Sequence, residues 1–480
     1  MNCRRILSTL VPGVLCAFSL AAAAAPPGDI VKARQKFFGI ENVDGNGNVK
    51  GDKVIVSWST NTTYLVSLEG RIILLDGYIN RPELPTAPID RRRSPVLPQD
   101  FIDAQPEAIF LGHGHGDHAD NAAFVAKWLG IPIYSSPETC DVMQLDVTRM
   151  FNDPNAVNGG VKIVPDGKPV NCIGVVPRGS RPGEYDDKTG KSTARRIDAL
   201  DPQVCILAFK FLHSNTAPAD PTFSHTPLSN LGDPRYDGRV ITTPAPAITY
   251  PAMFPVGTSF TPPNNVANAV PGQMNTTTTG FGSPPGNPAG AIEIVYEFVL
   301  RSGNKFALFW ANSAGPATEG ITSQITVNGQ PAPLDKDMVT LAQYNDPATD
   351  PAKLALAKTI GASLYALMDT LPSPDVLLGS IVSLGATTNQ QRDIIKVQQH
   401  LRPKVYYPGH LTDVAQAGSA IYHKINWRET ALAMGFAQSD WPEFRLLVDP
   451  NDFFVPQVFD PNDKRWAKPD RSVPDLCRGK

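Results

Sequence analysis

The chain has 480 residues, of which 42% are hydrophobic and 19% are charged, and its formal net charge is −3. This composition is typical of a globular protein that is long enough for two average domains or for one large domain with insertions. The small net charge excludes the strongly basic character that nucleic-acid binding requires, so we expect no nucleic-acid partner.

The first 25 residues are predicted to be a cleaved signal peptide. Arg4 and Arg5 precede an apolar run over residues 6–20, and alanines at 21–25 supply the small side chains of a cleavage site. The run is too short for a membrane anchor, and no later apolar stretch is long enough to span a bilayer. We therefore expect a mature protein that is periplasmic or secreted and has no membrane span.

Export also affects how the cysteines are interpreted. Four cysteines remain after the signal: Cys140, Cys172, Cys205 and Cys477. In an oxidising compartment they are expected to form two disulfide bonds, with three connectivities open. No pair has the close spacing of a thiolate zinc site.

Short apolar runs predict strands in the first third of the chain, at residues 54–57, 64–68, 72–75, 108–111 and 131–134. A two-residue turn at Glu69-Gly70 joins the second and third of these strands. Between the last two strands, apolar positions at helical spacing predict a helix that ends at Gly130. The order of strand, loop, helix and strand predicts a layered α/β fold, in which chemistry lies at the carboxyl ends of strands.

The middle of the chain is less regular. Residues 214–290 are dominated by Pro, Thr, Asn and Gly and show little periodicity, which predicts an irregular insertion. Around this insertion the pattern predicts strands at 204–212, 291–300, 305–310, 376–378 and 405–407, and helices at 352–368 and 390–400.

A Gly/His-rich segment follows the strand at 108–111. It reads Gly112-His113-Gly114-His115-Gly116-Asp117-His118 and holds three of the 8 histidines of the chain. The alternating His113 and His115 can face one divalent ion, while Asp117 and His118 are turned toward a neighbouring ion. The glycines relieve crowding and allow unusual backbone angles. The segment therefore predicts a metal-binding loop.

The motif His113-x-His115-x-Asp117-His118, together with the earlier strand end Leu74-Leu75-Asp76-Gly77, resembles the metallo-β-lactamase-fold hydrolases. Within that family it is nearest in motif to the branch of ascorbate-6-phosphate lactonase. The resemblance implies an α/β fold, the αββα sandwich, with a metal centre at one edge of the sheets. It also implies a hydrolase domain over 26–450, with the insertion at 214–290 and a C-terminal extension over 451–480.

Further site residues are implied by the resemblance. His213 follows the strand at 204–212 and is expected to complete the first metal site, in preference to His225. His410, which follows the strand at 405–407, is expected to complete the second site with Asp117 and His118. Asp76 is expected to orient a ligand histidine by accepting a hydrogen bond from it.

The chain departs from the family pattern at the bridging carboxylate. The strand at 305–310 leads to Asn312, where the family has an aspartate. A neutral amide oxygen can ligate one ion but is a poor bridge, so less of the metal charge is compensated. We therefore expect one tight ion and one looser ion. Zinc is the first choice, with manganese and iron as the alternatives.

These observations predict a metal-dependent hydrolase with a small-molecule substrate. A metal-activated water is expected to attack a lactone, ester or amide bond, with Asp117 orienting the water or carrying its proton. One alternative is a phosphodiesterase of the same fold. The other is a non-catalytic metal-binding protein that lost activity along with the bridging aspartate.

Overall fold

The computed structural model describes most of the chain after the N-terminal segment. The described residues are 27–78, 96, 98–119, 121–152, 157–158, 161–162, 168–214, 292–323, 326–327, 330–331, 335–380, 390–410, 424–425, 427–447, 452, 454–467 and 477. The predicted signal peptide, nearly all of the insertion at 214–290, and His225 lie outside these residues.

The strands, numbered in chain order, are β1 (Val54–Thr60), β2 (Thr63–Leu68), β3 (Arg71–Leu75), β4 (Ala108–Phe110), β5 (Ile133–Ser135), β6 (Val157–Asn158), β7 (Val161–Lys162), β8 (Cys172–Gly174), β9 (Arg195–Ile197), β10 (Val204–Leu212), β11 (Ile292–Leu300), β12 (Ala307–Trp310), β13 (Thr326–Val327), β14 (Gln330–Pro331), β15 (Val376–Ser380), β16 (Val405–Gly409), β17 (Glu443–Phe444) and β18 (Gln457–Phe459). The main helices are α1 (Pro27–Phe38), α2 (Pro98–Ala104), α3 (Gly116–Ala119), α4 (Ala122–Leu129), α5 (Pro137–Asn152), α6 (Leu341–Asn345), α7 (Pro351–Thr370) and α8 (Gln390–Leu401).

Two seven-stranded sheets form the centre of the molecule. The first has the order β18-β1-β2-β3-β4-β5-β8 and the second the order β17-β16-β15-β12-β11-β10-β9. In the first sheet the pairing is antiparallel from β18 to β3 and parallel from β3 to β8. In the second it is antiparallel from β9 to β12 and parallel from β12 to β17. Each sheet therefore changes from antiparallel to parallel at its fourth strand, β3 in one and β12 in the other.

The sheets face each other and carry helices on their outer sides. A cluster of buried apolar residues from both sheets, with Phe110, Tyr296 and Trp310 among its largest members, fills the space between them. A second cluster packs α1, α2, α4 and α5 on the first sheet, and a third packs α7 and α8 on the second. This α/β/β/α layering confirms the expected αββα sandwich.

The strands are buried on both faces, because one face meets the other sheet and the other meets helices. Every residue of β1, β10 and β11 is buried, so these strands read as nearly continuous apolar runs. That pattern is why they were predictable. The tight turn at Glu69 and Gly70 has positive φ at both residues, and Gly130 ends α4 in the left-handed conformation, as predicted.

The segment 451–480 is not simply appended to the domain. Residues 457–459 form β18 and pair with β1 at the edge of the first sheet. Trp466 is buried against Phe306, and Cys477 forms a disulfide bond with Cys205 of β10. The described part of this segment therefore belongs to the sandwich.

The second disulfide bond joins Cys140 of α5 to Cys172 of β8. Together the two bonds correspond to one of the three connectivities left open by the sequence. In the part of the chain described here, no helix is both long and apolar enough to cross a membrane.

Candidate metal centre

Five strand ends meet at one edge of the sandwich and carry the predicted site residues. In the first sheet, Asp76 follows β3 and the histidine-rich segment follows β4. In the second sheet, His213 follows β10, Asn312 follows β12 and His410 follows β16. The last part of the histidine-rich segment is α3, a single helical turn in which the backbone N–H groups of His118 and Ala119 both donate to the His115 carbonyl. This turn places Asp117 and His118 beside the two preceding histidines, where they form a second group of candidate ligands.

The first group of side chains is His113, His115 and His213, whose candidate ligand atoms lie within 4.8 Å of one another. Nε2 of His113 is 3.1 Å from Nδ1 of His115. The ring of His213 is 4.6 Å from that of His113 and 4.7 Å from that of His115, measured between centroids. Nδ1 of His213 donates to the Ser214 carbonyl at 2.8 Å, which leaves Nε2 as a bare lone pair.

The second group is Asp117, His118 and His410, which meet the same distance limit. Nε2 of His118 is 3.0 Å from Nε2 of His410. Oδ2 of Asp117 is 3.1 Å from Nε2 of His410 and 3.6 Å from Nε2 of His118. The rings of His113 and His118 are 4.1 Å apart, so the two groups are neighbours.

Both groups fit a divalent metal ion. Ligands at about 2.0–2.1 Å from a tetrahedral zinc ion lie roughly 3.3 Å from each other, close to the distances within each group. The Nδ1 atoms of His118 and His213 contact oxygen acceptors. In the neutral rings the Nε2 atoms therefore carry the lone pairs, and these face other hydrogen-bond acceptors. Lone pairs at this spacing repel each other unless a proton or a cation lies between them. Imidazole nitrogen with a single carboxylate is a donor set that suits zinc.

The electrostatics differ between the groups. Burial, reinforced by neighbouring imidazoles, lowers the pKa of His113 and of His213 well below the usual range, and burial lowers the pKa of His115 to about 4. Burial also opposes protonation of His118, but Asp117 and Asp76 outweigh it and raise its pKa. Burial opposes ionisation of Asp117, yet the surrounding histidines hold its pKa below the usual range. The first group is thus a set of neutral imidazoles, whereas the second has an anionic carboxylate.

Asp76 lies behind His118, where the resemblance placed a hydrogen-bond acceptor. Its Oδ2 is 2.8 Å from Nδ1 of His118 and also accepts a bond from the Thr62 hydroxyl at 2.7 Å. The backbone of Asp76 has φ of 56°, a conformation that costs free energy for a residue with a side chain. His410 has φ of 64°. Strained backbone of this kind is common where a site must hold side chains in fixed positions.

Asn312 occupies a different position from the one we expected of a metal ligand. Its Oδ1 is 3.0 Å from Nδ1 of His113, and its Nδ2 is 3.0 Å from both carboxylate oxygens of Asp76. These contacts lie on the Nδ1 side of the His113 and His118 rings, whereas the Nε2 atoms of both rings face the ligand groups. The amide therefore lies behind the ligands. Hydrogen bonds to residues of the first sheet set the direction of the Asn312 side chain. The strand pattern of the sequence does not reveal these bonds.

Three residues that contact the site were not predicted. Thr62 Oγ1 is 2.8 Å from Nδ1 of His118, and the Asn61 side chain donates to the Asp117 carbonyl at 2.6 Å. Oε2 of Glu293, on β11, is 2.9 Å from Nδ1 of His113. Glu293 had a visible signal, since it is a carboxylate inside an apolar strand. Asn61 and Thr62 had none beyond lying in the short β1–β2 turn.

Comparison with known proteins gives relatives for part of the chain, although no protein-family model matches it. A UPF0173 metal-dependent hydrolase of Pyrobaculum aerophilum is 28% identical over 109 residues, which cover 22% of this chain and 44% of the relative. Another, of Cereibacter sphaeroides, is 27% identical over 129 residues, covering 27% of this chain and 51% of the relative. The chain thus spans about half the length of these curated relatives.

Solved structures with similar architecture include Igni18, a novel metallo hydrolase from Ignicoccus hospitalis, with 12% identity, a TM-score of 0.38, and coverage of 85% of this chain and 98% of that one. The metallo-beta-lactamase fold protein YhfI from Bacillus subtilis has 9% identity, a TM-score of 0.32, and coverage of 85% and 100%.

The facing mixed sheets, the outer helices and the histidine-bearing strand ends define a protein of the metallo-β-lactamase fold. Within this class the chain is related in sequence to the UPF0173 metal-dependent hydrolases, in agreement with the class expected from the motif. The narrower resemblance to the ascorbate-6-phosphate lactonase branch stays an expectation.

Proposed function

We propose that this chain is an exported metal-dependent hydrolase that cleaves a lactone, ester or amide bond in a small neutral substrate. The observation that carries the proposal is the pair of adjacent three-ligand groups at one edge of the sandwich. When bound there, divalent ions supply Lewis-acid stabilisation of developing negative charge and lower the pKa of water to about 7.

The chain's own residues have distinct tasks in this proposal. His113, His115 and His213 form one ligand set, and His118 and His410 form the other with Asp117. Asp117 is the single carboxylate of the two sets, so it is the candidate for orienting the attacking water and accepting its proton. Its Oδ2 is held between the Nε2 atoms of His410 and His118, which gives the carboxylate one orientation.

The charge of the groups around the ligands favours one substrate class. Among the described residues, the neighbours that contact the six ligand residues are neutral or acidic, and they include Asn61, Thr62, Asp76, Ser214, Glu293 and Asn312. A phosphodiester carries a negative charge that only the bound ions, and none of these contacts, would compensate. A neutral carbonyl substrate therefore suits the site better than a phosphodiester.

Two ions, with zinc as the first choice, suit two sets of three ligands. The unequal affinities expected from the sequence rest on the missing charge of a bridging carboxylate at residue 312, and they stay a prediction. Export is supported by the N-terminal pattern and by the two disulfide bonds, which form in oxidising compartments.

The proposal is tested with metal-free protein that is reloaded with zinc, manganese or iron and assayed on lactones, esters, amides and phosphodiesters. Elemental analysis should give two ions per chain for the wild type and one for His213→Ala or His410→Ala, because each variant breaks one set. Turnover of a carbonyl substrate supports the proposal. Inactivity on every carbonyl substrate, with both sites filled, would instead support the non-catalytic metal-binding alternative, and selective turnover of phosphodiesters would support the other alternative.

A further inference from the structure

Asn312 and Asp76 hold equivalent places in the two sheets. Asp76 directly follows β3 and Asn312 lies just after β12, and these are the fourth strands of their sheets, where pairing changes from antiparallel to parallel. Their side chains are fully buried and hydrogen bond to each other across the space between the sheets. The contact therefore joins the two central strands at the edge that carries the ligands.

The hydrogen bonds at Asn312 fix the orientation of its amide. Only the NH₂ group can face the two oxygens of Asp76, so Oδ1 is the atom that faces Nδ1 of His113. An oxygen acceptor at that distance requires the proton of His113 to be on Nδ1. Asp76 imposes the same tautomer on His118, whose Nδ1 is 2.8 Å from Oδ2. In both rings the lone pair is consequently left on Nε2, the atom that faces a ligand group.

Gly112 gives independent evidence that this amide position is built into the site. A Cβ atom at residue 112 would lie 2.1 Å from Oδ1 of Asn312, far inside van der Waals contact. The backbone of Gly112 does not have positive φ, so the glycine is needed here for space and not for an unusual conformation. The first glycine of the histidine-rich segment thus makes room for an amide from the opposite sheet.

We propose that Asn312 is a positioning residue that sets the metal-binding tautomer of His113 directly and that of His118 through Asp76. This inference depends on the proposed metal centre, because it concerns the ring atoms that would face the ions. An aspartate at this position would not create a bridge. It would place a buried carboxylate about 3 Å from Asp76 and near Glu293, and like charges in such a site repel or take up a proton.

The test compares wild-type protein with Asn312→Asp in zinc titrations against a competing chromophoric chelator. Positioning predicts that zinc affinity falls by about 10- to 100-fold, the usual loss for a residue that orients metal ligands. If Asn312 were a metal ligand, the substitution would instead raise zinc affinity, because the added negative charge would strengthen binding of the second ion. Asn304→Asp is the matched control, since it lies before β12, at the other end of that strand from Asn312, and its side chain bonds to the Asp463 carbonyl. It should bind zinc as the wild type does.

A spectroscopic readout separates positioning from general damage to the fold. In zinc-loaded protein with ¹⁵N-labelled histidine, the ring shifts of His113 and His118 should report protonated Nδ1 in the wild type. Asn312→Leu, which removes the oxygen acceptor at Nδ1 of His113, should change these shifts while the circular dichroism of the protein stays that of the wild type. Unchanged ring shifts, or zinc binding as tight as that of the wild type or tighter, would overturn the inference.

Gly112→Ala tests the same contact without altering the amide, and it serves if Asn312→Asp does not fold. The single variant should weaken zinc binding by about tenfold or more, because the new methyl displaces Asn312. In an Asn312→Ala background the same substitution should have little further effect, since the clash is gone. Wild-type affinity in Gly112→Ala would contradict the inference. Failure of the wild type itself to bind zinc would instead refute the proposed metal centre.

Discussion

At the scale of single residues, the site depends as much on the outer nitrogens of the histidine rings as on the inner ones. His113 is held by Asn312, His118 by Asp76 and Thr62, and His213 by a backbone carbonyl. Each contact fixes both the ring orientation and the position of its proton. The outer partners therefore decide which atoms can bind a metal ion.

Thr62 allows this dependence to be measured one hydrogen bond at a time. Thr62→Val keeps the side-chain shape but removes the hydroxyl that donates to Asp76 and contacts His118. We expect zinc affinity at the second group to fall by about tenfold, while the first group is unaffected. Isothermal titration of metal-free protein measures both sites.

The adjacent Thr63 provides a matched control. Its hydroxyl is buried and has no hydrogen-bond partner among the described residues, so Thr63→Val removes a group that makes no such contact. This variant should bind zinc as the wild type does and be equally or more stable, because burying an unpaired hydroxyl costs free energy. Equal losses of zinc affinity in the two variants would contradict a specific role for Thr62.

At the scale of elements, β18 shows how the end of the chain contributes to the first sheet. Phe459 is buried between the sheets against Phe306 and Trp466, whereas its neighbour Val458 is 43% exposed. Phe459→Ala should lower the free energy of unfolding by about 3–5 kcal/mol, as expected for removal of a buried aromatic ring.

Val458→Ala is the control in the same strand and should change stability by less than about 0.5 kcal/mol, because surface substitutions usually do. Denaturant unfolding of both variants measures the difference. Similar stabilities would show that β18 is dispensable for the stability of the sandwich.

Most central strands were predictable because they are continuous apolar runs, and His213 and His410 were predicted as ligands because each follows such a run. β18 was not predicted, since it is only three residues long and just one of them is buried. The helix α5 was also not predicted. The hydrogen-bond partners of Asn312 were not predicted, because the direction of a side chain at a strand end depends on how the two sheets pack. That packing is not visible in local sequence.

At the scale of the whole molecule, each ligand group draws on both sheets. His113, His115, Asp117 and His118 come from the first sheet, whereas His213 and His410 come from the second. A bound ion would therefore join the two sheets, as the hydrogen bonds between Asp76 and Asn312 do. Metal binding and the stability of the sandwich should be coupled.

Removal of the metal with a chelator should consequently lower the melting temperature. An ion at 100 times its dissociation constant stabilises the folded state by about 2.7 kcal/mol, so two ions should give a large and reversible shift. Differential scanning calorimetry of chelated, reloaded and untreated protein measures it. His213→Ala and His410→Ala should each retain roughly half of the shift, whereas a melting temperature that is indifferent to chelation would show that the sheets are not joined by metal.

The pairing of β1 with β18 also has a consequence for the order in which the molecule can be made. Strand β1 pairs with β2 on one side and with β18 on the other. Because β18 is among the last described segments to be synthesised, the first sheet has an open edge at β1 until residues 457–459 arrive. The disulfide bond between Cys205 and Cys477 likewise waits for residue 477. The sandwich can therefore be completed only after residues 457–477 have been synthesised, and an exported chain would reach its oxidising compartment before this disulfide bond forms.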